Sequence, residues 1–160
     1  MAVIRPYRPS DAETIAALTL AAIRTTALRA YSPAQVEAWS GRYSVERLLE
    51  GAAKGDVILV ATGADDCPLA YTVLEGGGHL DMLFCHPDHT GKGLAFALLA
   101  EVEDAARAQG VTRIVTEASE LARPVFERAG YTVLHRRDFT IPFDGGEVAI
   151  HNYAMERLIG

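Results

Sequence analysis

Two kinds of chemistry are written between Gly78 and Gly110, and both depend on spacing. His79 and Asp81 are two residues apart, which on a β-strand places them on one face together with Leu83 and Cys85. Histidine titrates near neutrality and a carboxylate can accept or orient a proton, so either residue is a candidate general base. Further along, Gly91 and Gly93 flank Lys92 and lead into Leu94, Leu98, Val102 and Ala106, the four-residue recurrence of an amphipathic helix. Glycine leaves the backbone bare, the first N–H groups of a helix have no internal partner, and the macrodipole is positive there. Those conditions suit phosphate.

Two familiar phosphate signatures fit badly. A dinucleotide fingerprint puts Phe96 where Gly or another small residue is required, which disfavours a nucleotide-binding oxidoreductase; a P-loop requires Ser or Thr where Gly93 follows Gly91-Lys92. A glycine pair can also do no more than make a tight turn. Cys67 and Cys85 show neither CxxC nor Cys/His ligand spacing, which fits a reducing compartment and implies no metal.

The letters Thr90-Gly91-Lys92-Gly93-Leu94-Ala95, after the apolar strand and proline of LFCHPDH, resemble the acyl-CoA-binding motif Gln/Arg-x-x-Gly-x-Gly/Ala of the GNAT superfamily of N-acetyltransferases. Thr90 stands where that family places Gln or Arg. Residues 119–131, SELARPVFERAGY, are similar to the family's second signature: Ala122, Gly130 and Tyr131 fit, Ser119 replaces Asn, and Phe126 replaces the Tyr that often serves as general acid. Both signatures stand in the family's order, and the outline resembles its small bacterial members of the YafP-like kind.

The resemblance implies an α/β (α+β) fold, a single domain over residues 1–160 with a mixed, mostly antiparallel sheet flanked by helices. In it the strand carrying His79 splays from the next, and a pantetheine arm lies between them. Acetyl-CoA is the implied co-substrate, held by Leu83, Phe84, Cys85, Thr90, Gly91, Lys92, Gly93, Leu94, Ala95, Ser119, Arg123 and Phe126. The implied reaction is direct attack of a primary amine on the thioester, with Asp81, His79 and Glu117 as catalytic candidates. Family enzymes with a carboxylate base often carry Glu at the position of His79. Tyr31 and Trp39, in the helical region after the first strand, are candidates for binding a small-molecule or peptide acceptor. A non-catalytic acyl-CoA-binding or sensing module is the alternative, favoured by Thr90, Ser119 and Phe126.

The chemistry sets its own demands. An alkylammonium of pKa about 10.4 must lose a proton before it attacks. The oxyanion then needs a donor, for which a backbone N–H near Leu83 to Cys85 is the candidate, and the departing thiolate benefits from an acid. Cys85 in an apolar strand reads as packing ahead of an acyl-cysteine nucleophile.

These groups need a scaffold. Strands are expected over residues 2–7, 57–61, 69–74 and 79–85, the second and third forming a hairpin across Gly63-Ala64-Asp65-Asp66. Ser10 is the expected cap of a first helix, Pro33 opens a second over PAQVEAWS, and residues 45–49 form a third. After the long helix come a strand over 112–116, a helix over 121–128 and a closing strand pair around Asp144-Gly145-Gly146. At 160 residues and 49% hydrophobic the chain can bury one sizeable core, and its formal charge of −6 disfavours nucleic acid or an anionic membrane as a bulk partner. With no leader-like or membrane-length apolar stretch the expected location is the cytoplasm. Oligomeric state is open between monomer and homodimer.

Overall fold

Alternating apolar residues, interrupted by glycine-rich turns, build strands Val3–Pro6 (β1), Val57–Thr62 (β2), Pro68–Glu75 (β3), His79–Cys85 (β4), Arg113–Ala118 (β5), Thr132–Phe143 (β6) and Gly146–Leu158 (β7). The helices are Ala12–Ala21 (α1), Pro33–Ser40 (α2), Val45–Lys54 (α3), Leu94–Ala108 (α4) and Arg123–Arg128 (α5). The computed structural model describes residues 2–160, and its strands form one sheet in the order β1-β2-β3-β4-β5-β7-β6. Every neighbouring pair is antiparallel except β4 and β5. Among the described residues no helix is long and apolar enough to cross a membrane.

The sheet is covered on both faces. Leu98, Val102 and Ala106 of α4 are fully buried on one side, in clusters that include Ala61, Ala70, Leu74, Leu80 and Ile114. Ile15 and Leu18 of α1 and Leu48 of α3 cover the other side, against Ile58, Val60, Tyr71, Val73 and Met82. At roughly 1.5–3 kcal/mol for each large apolar side chain buried, these two layers supply the main drive for folding.

Local chemistry explains the element ends. Ser32 accepts from Gln35 N at 3.2 Å while Ser32 N donates to Gln35 Oε1 at 2.9 Å, a reciprocal cap that starts α2 with Pro33 in its first turn. Helix α3 runs past Leu49 to Lys54, where Gly55 closes it in the left-handed region at φ 93°. Ser10 caps nothing: it lies in a short 3₁₀ turn, and the side chain that matters is Asp11, which accepts from Arg8 N at 2.8 Å and pairs with Arg5 at 2.8 Å.

One irregularity in β4 changes which residues share a face. Val73 lies opposite Met82 and Leu74 opposite Leu80, so Asp81 is an extra residue in the ladder, a β-bulge. The expected grouping of His79, Asp81, Leu83 and Cys85 therefore breaks in the middle. Leu83 and Cys85 pack on the α4 side, while Asp81 reaches Arg47 of α3 on the other.

Strands β4 and β5 meet for only two residue pairs, His79↔Val115 and Leu80↔Thr116. Gly78, at φ 100°, sits at this junction and accepts from Val115 N at 3.0 Å. Beyond Leu80 and Thr116 the strands part, as the splay implied by the resemblance requires, and among the described residues the rest of that edge of β4 has no strand partner.

Candidate active site

The glycine-rich turn is shaped by backbone conformation. Gly91 and Gly93 have φ of 74° and 80°, and a Cβ on either would meet nothing within 4 Å. Gly93 is the N-cap of α4, whose first turn carries no acidic residue, so its free N–H groups face an uncontested positive end. The adjoining cavity is lined by His89, Thr90, Gly91, Gly93, Ala95 and Arg128, among others. Lys92 is exposed beside it, with Nζ 3.5 Å from His89 Nδ1. Thr90 does not reach outward: its hydroxyl donates to Pro87 O at 3.2 Å.

The parting of β4 and β5 opens an apolar notch of about 140 Å³, walled by Leu83, Phe84 and Cys85 of β4, by Leu121, Ala122 and Val125, and by Ile23 and Ala27. Cys85, Thr90, Ala95 and Val125 line both this notch and the cavity at the glycine turn. Trp39 and Ser119 line both the notch and a polar basin of about 220 Å³ on the far side. The three depressions thus form one run.

The basin is furnished by elements remote in sequence. Tyr31, Trp39 and Tyr43 come from the region of α2, Arg47 from α3, Asp81 from the bulge, Glu117 from β5, and Arg137, His151 and Asn152 from the β6–β7 hairpin. Tyr31 is 5% exposed; its hydroxyl donates to His151 O and accepts from Glu120 N, each at 2.9 Å. Trp39 donates to the Tyr43 hydroxyl at 3.3 Å. Asp81 lies 3.3 Å from Arg47 Nη2 and also borders a second polar depression with Glu50, Lys54 and Asp56.

His79 is bracketed by carboxylates. Nδ1 is 2.5 Å from Glu75 Oε1 and Nε2 is 2.8 Å from Glu117 Oε1. The hydrogen bond to Glu117, reinforced by Glu75, pushes the imidazole up to about 9, and the same contacts hold both carboxyls below their ordinary range. At neutral pH the ring is therefore charged, in contrast to the near-neutral titration expected from the sequence. Glu75, His79 and Asp81 bring donor atoms within 4.8 Å of one another, a grouping that the Cys/His spacing gave no hint of.

Several expected site residues face elsewhere. Phe126 is 2% exposed and packs edge-to-face on Tyr131 at 5.0 Å, inside the α4-side core. Arg123 lies over the Tyr153 ring at 4.5 Å and pairs with Glu127 at 3.5 Å; the arginine that lines the glycine-turn cavity is Arg128. Arg42, Arg47, Arg137 and Asn152 were not singled out by sequence, where nothing but their type marks them. Ser32 and Gln35 are used by the α2 cap, and Gln35 also donates to Ala149 O at 2.9 Å.

Comparison with known proteins agrees with this architecture. Residues 27–140 match the acetyltransferase (GNAT) domain family. The chain is 31% identical over 134 residues to the uncharacterized N-acetyltransferase YafP of Escherichia coli strain K12, covering 84% of this chain and 83% of that protein. Among solved structures, a GCN5-related N-acetyltransferase from Rhodopseudomonas palustris, named as a class-II aminotransferase, superimposes with a TM-score of 0.86 at 31% identity over 99% of this chain and 96% of that one. The PaiA N-acetyltransferase of Thermoplasma acidophilum, solved in complex with coenzyme A, gives 0.78 at 22% identity over 99% of each chain. With the strand–glycine turn–helix unit and the parted strands already in place, these matches establish that the chain belongs to the GNAT acetyltransferase family.

Proposed function

We propose that the protein transfers an acetyl group from acetyl-CoA to a primary amine by direct attack on the thioester. The observation that carries this reading is the unbroken run from glycine turn to apolar notch to polar basin, with Trp39 and Ser119 at the inner passage. The bare N–H groups of the Gly91 to Ala95 turn take the pyrophosphate, assisted by His89, Lys92 and Arg128. The pantetheine arm lies in the notch and hydrogen-bonds to the unpartnered edge of β4 as an added strand would. The coenzyme A bound to the PaiA protein supports the same use of the shared fold.

The thioester then faces the basin. The amine nitrogen forms a bond to the acetyl carbon, the C–S bond breaks, and a β4 backbone N–H near Leu83 to Cys85 stabilises the oxyanion between these events. Asp81 holds the ammonium and receives its proton, directly or through water, and the outer polar depression beside it gives that proton a wet exit. His79 is charged at neutral pH, so it acts as a positioning residue that fixes Glu117 and the strand junction. The thiolate, of solution pKa about 8.5, leaves without a dedicated acid and is protonated by water. Burial pushes the Cys85 thiol up, which favours its neutral form and argues against an acyl-cysteine intermediate.

Thiol release from acetyl-CoA with a panel of primary amines, followed together with acetylated product, tests the reading. Amine-dependent release supports it. Tight coenzyme A binding with no amine-dependent release from any panel member leaves the acyl-CoA-binding module instead.

A further inference from the structure

Three arginines, Arg42, Arg47 and Arg137, line the polar basin together with two acids, Asp81 and Glu117. This surplus of cation is local, because the whole chain carries a formal charge of −6. Glu117 is divided: its Oε1 is held 2.8 Å from the charged His79 ring, and the charge of Arg137 acts on the same carboxylate from beyond ion-pair distance. Arg47 takes Asp81 at 3.3 Å. Among the described residues, neither Arg42 nor Arg137 has a carboxylate oxygen within 4.0 Å.

Arg137 is also held in place. Its Nη1 donates to Asn152 Oδ1 at 3.0 Å across the β6–β7 ladder, and its guanidinium lies 5.2 Å from the centre of the Phe139 ring. A guanidinium has five N–H donors in a rigid fork, and Asn152 uses one. The remaining donors of a half-buried, positioned arginine match the two oxygens of a carboxylate. Arg137 and Asp81 therefore give the basin two ends of opposite preference.

We propose that the acceptor is a small amine carrying a carboxylate, its carboxylate taken by Arg137 with Arg42 alongside and its amine directed to Asp81. This rests on reading the basin as the acceptor side of an acetyl transfer. Charge favours one orientation: Arg42 and Arg137, without an ion-pair partner among the described residues, repel an ammonium and attract a carboxylate, whereas Asp81 attracts the ammonium and shares it with Arg47 at 3.3 Å. The basin's volume of about 220 Å³ fits a molecule the size of an amino acid. Pockets for drug-sized ligands run to roughly 300–1,000 Å³.

The test is calorimetry on the protein saturated with coenzyme A, so that binding is read whether or not turnover occurs. The probes are the common amino acids, each paired with its carboxamide, plus the matching carboxylate- and amide-ended dipeptides. At least one free amino acid is expected to bind tenfold or more tightly than its carboxamide, and Arg137→Gln is expected to remove that difference. Arg137→Lys, which keeps the charge without the fork, should restore only part of it. Coenzyme A affinity, measured on each variant, reports that the fold and the cofactor side are intact. The proposal is overturned if no free amino acid binds more tightly than its amide, if Arg137→Gln keeps the preference, or if only dipeptides bind. Failure of the acetyl-transfer reading looks different: the carboxylate preference persists, yet bound acetyl-CoA releases no thiol with the preferred amino acid.

Discussion

Glu117 Oε1 lies 2.8 Å from His79 Nε2, a bond between β5 and β4 at the point where those strands stop pairing. Because the folded-state value of the imidazole is raised from 6.5 to about 9, the native state binds the proton more tightly than the unfolded chain. The stabilisation is complete below pH 6.5 and is lost as pH rises through about 9. Denaturant melts across this window should show wild-type stability falling with pH, and His79→Gln should flatten that fall. Equal slopes for the two proteins would rule out the bracketed imidazolium.

Gly93→Asp tests the cofactor end. A Cβ at this position meets nothing within 4 Å, and aspartate is among the residues that tolerate a left-handed φ, so the fold should survive with a cost of about 1 kcal/mol. The new carboxylate would stand at the N-terminus of α4, where it repels phosphate. Coenzyme A affinity is expected to fall at least tenfold in calorimetry, and unchanged affinity would remove the phosphate assignment.

Asp81→Asn separates binding from chemistry. The substitution keeps the shape of the bulge and removes the carboxylate, so coenzyme A affinity should hold while acetylation of an accepted amine drops by roughly 10²-fold or more. A loss under about threefold would mean that positioning alone carries the reaction.

Gly78→Ala addresses the strand junction. The added methyl would come within 2.5 Å of Arg113 O, at a residue whose φ is 100°. Overpacking against backbone and left-handed strain together should cost about 2–4 kcal/mol and lower the melting temperature by roughly 5–15 °C. A melting temperature within 2 °C of wild type would show that the junction yields easily.

Chelation tests the donor grouping at Glu75, His79 and Asp81. His79 is already hydrogen-bonded at both nitrogens, and Asp81 is paired with Arg47. Dialysis against EDTA is expected to leave melting temperature and coenzyme A affinity unchanged. A fall in either, reversed by one divalent ion, would make the cluster a metal site.

Local patterns were legible in the sequence. Pro33 marks the start of α2, Asp144-Gly145 marks the tip of the β6–β7 hairpin, and the glycines before Leu94 mark the start of α4. Chemistry that depends on long-range meeting was not. His79 and Glu117 are 38 positions apart, and Arg137 reaches the basin only because β6 folds back along β7. Arg123 and Arg128 have the same composition and lie on one short helix, so only packing decides which lines the cavity. The period-of-two reading of β4 failed at Asp81 because it assumes a regular ladder, and a bulge leaves no mark in composition.

That extra residue makes β4 a strand with two allegiances. Before it, Leu80 belongs to the α4 layer; after it, Met82 belongs to the opposite one and Leu83 takes the α4 side. One length of backbone can thus present a carboxylate to the layer that would receive the amine and, two residues later, a wall to the layer that would hold the cofactor. Deleting Asp81 would leave Leu80, Met82 and Leu83 in strict alternation on the layers they already occupy, so the ladder would close and the sheet would lose only its carboxylate. Adding a residue between Met82 and Cys85 would instead invert inside and outside for the end of the strand that walls the notch.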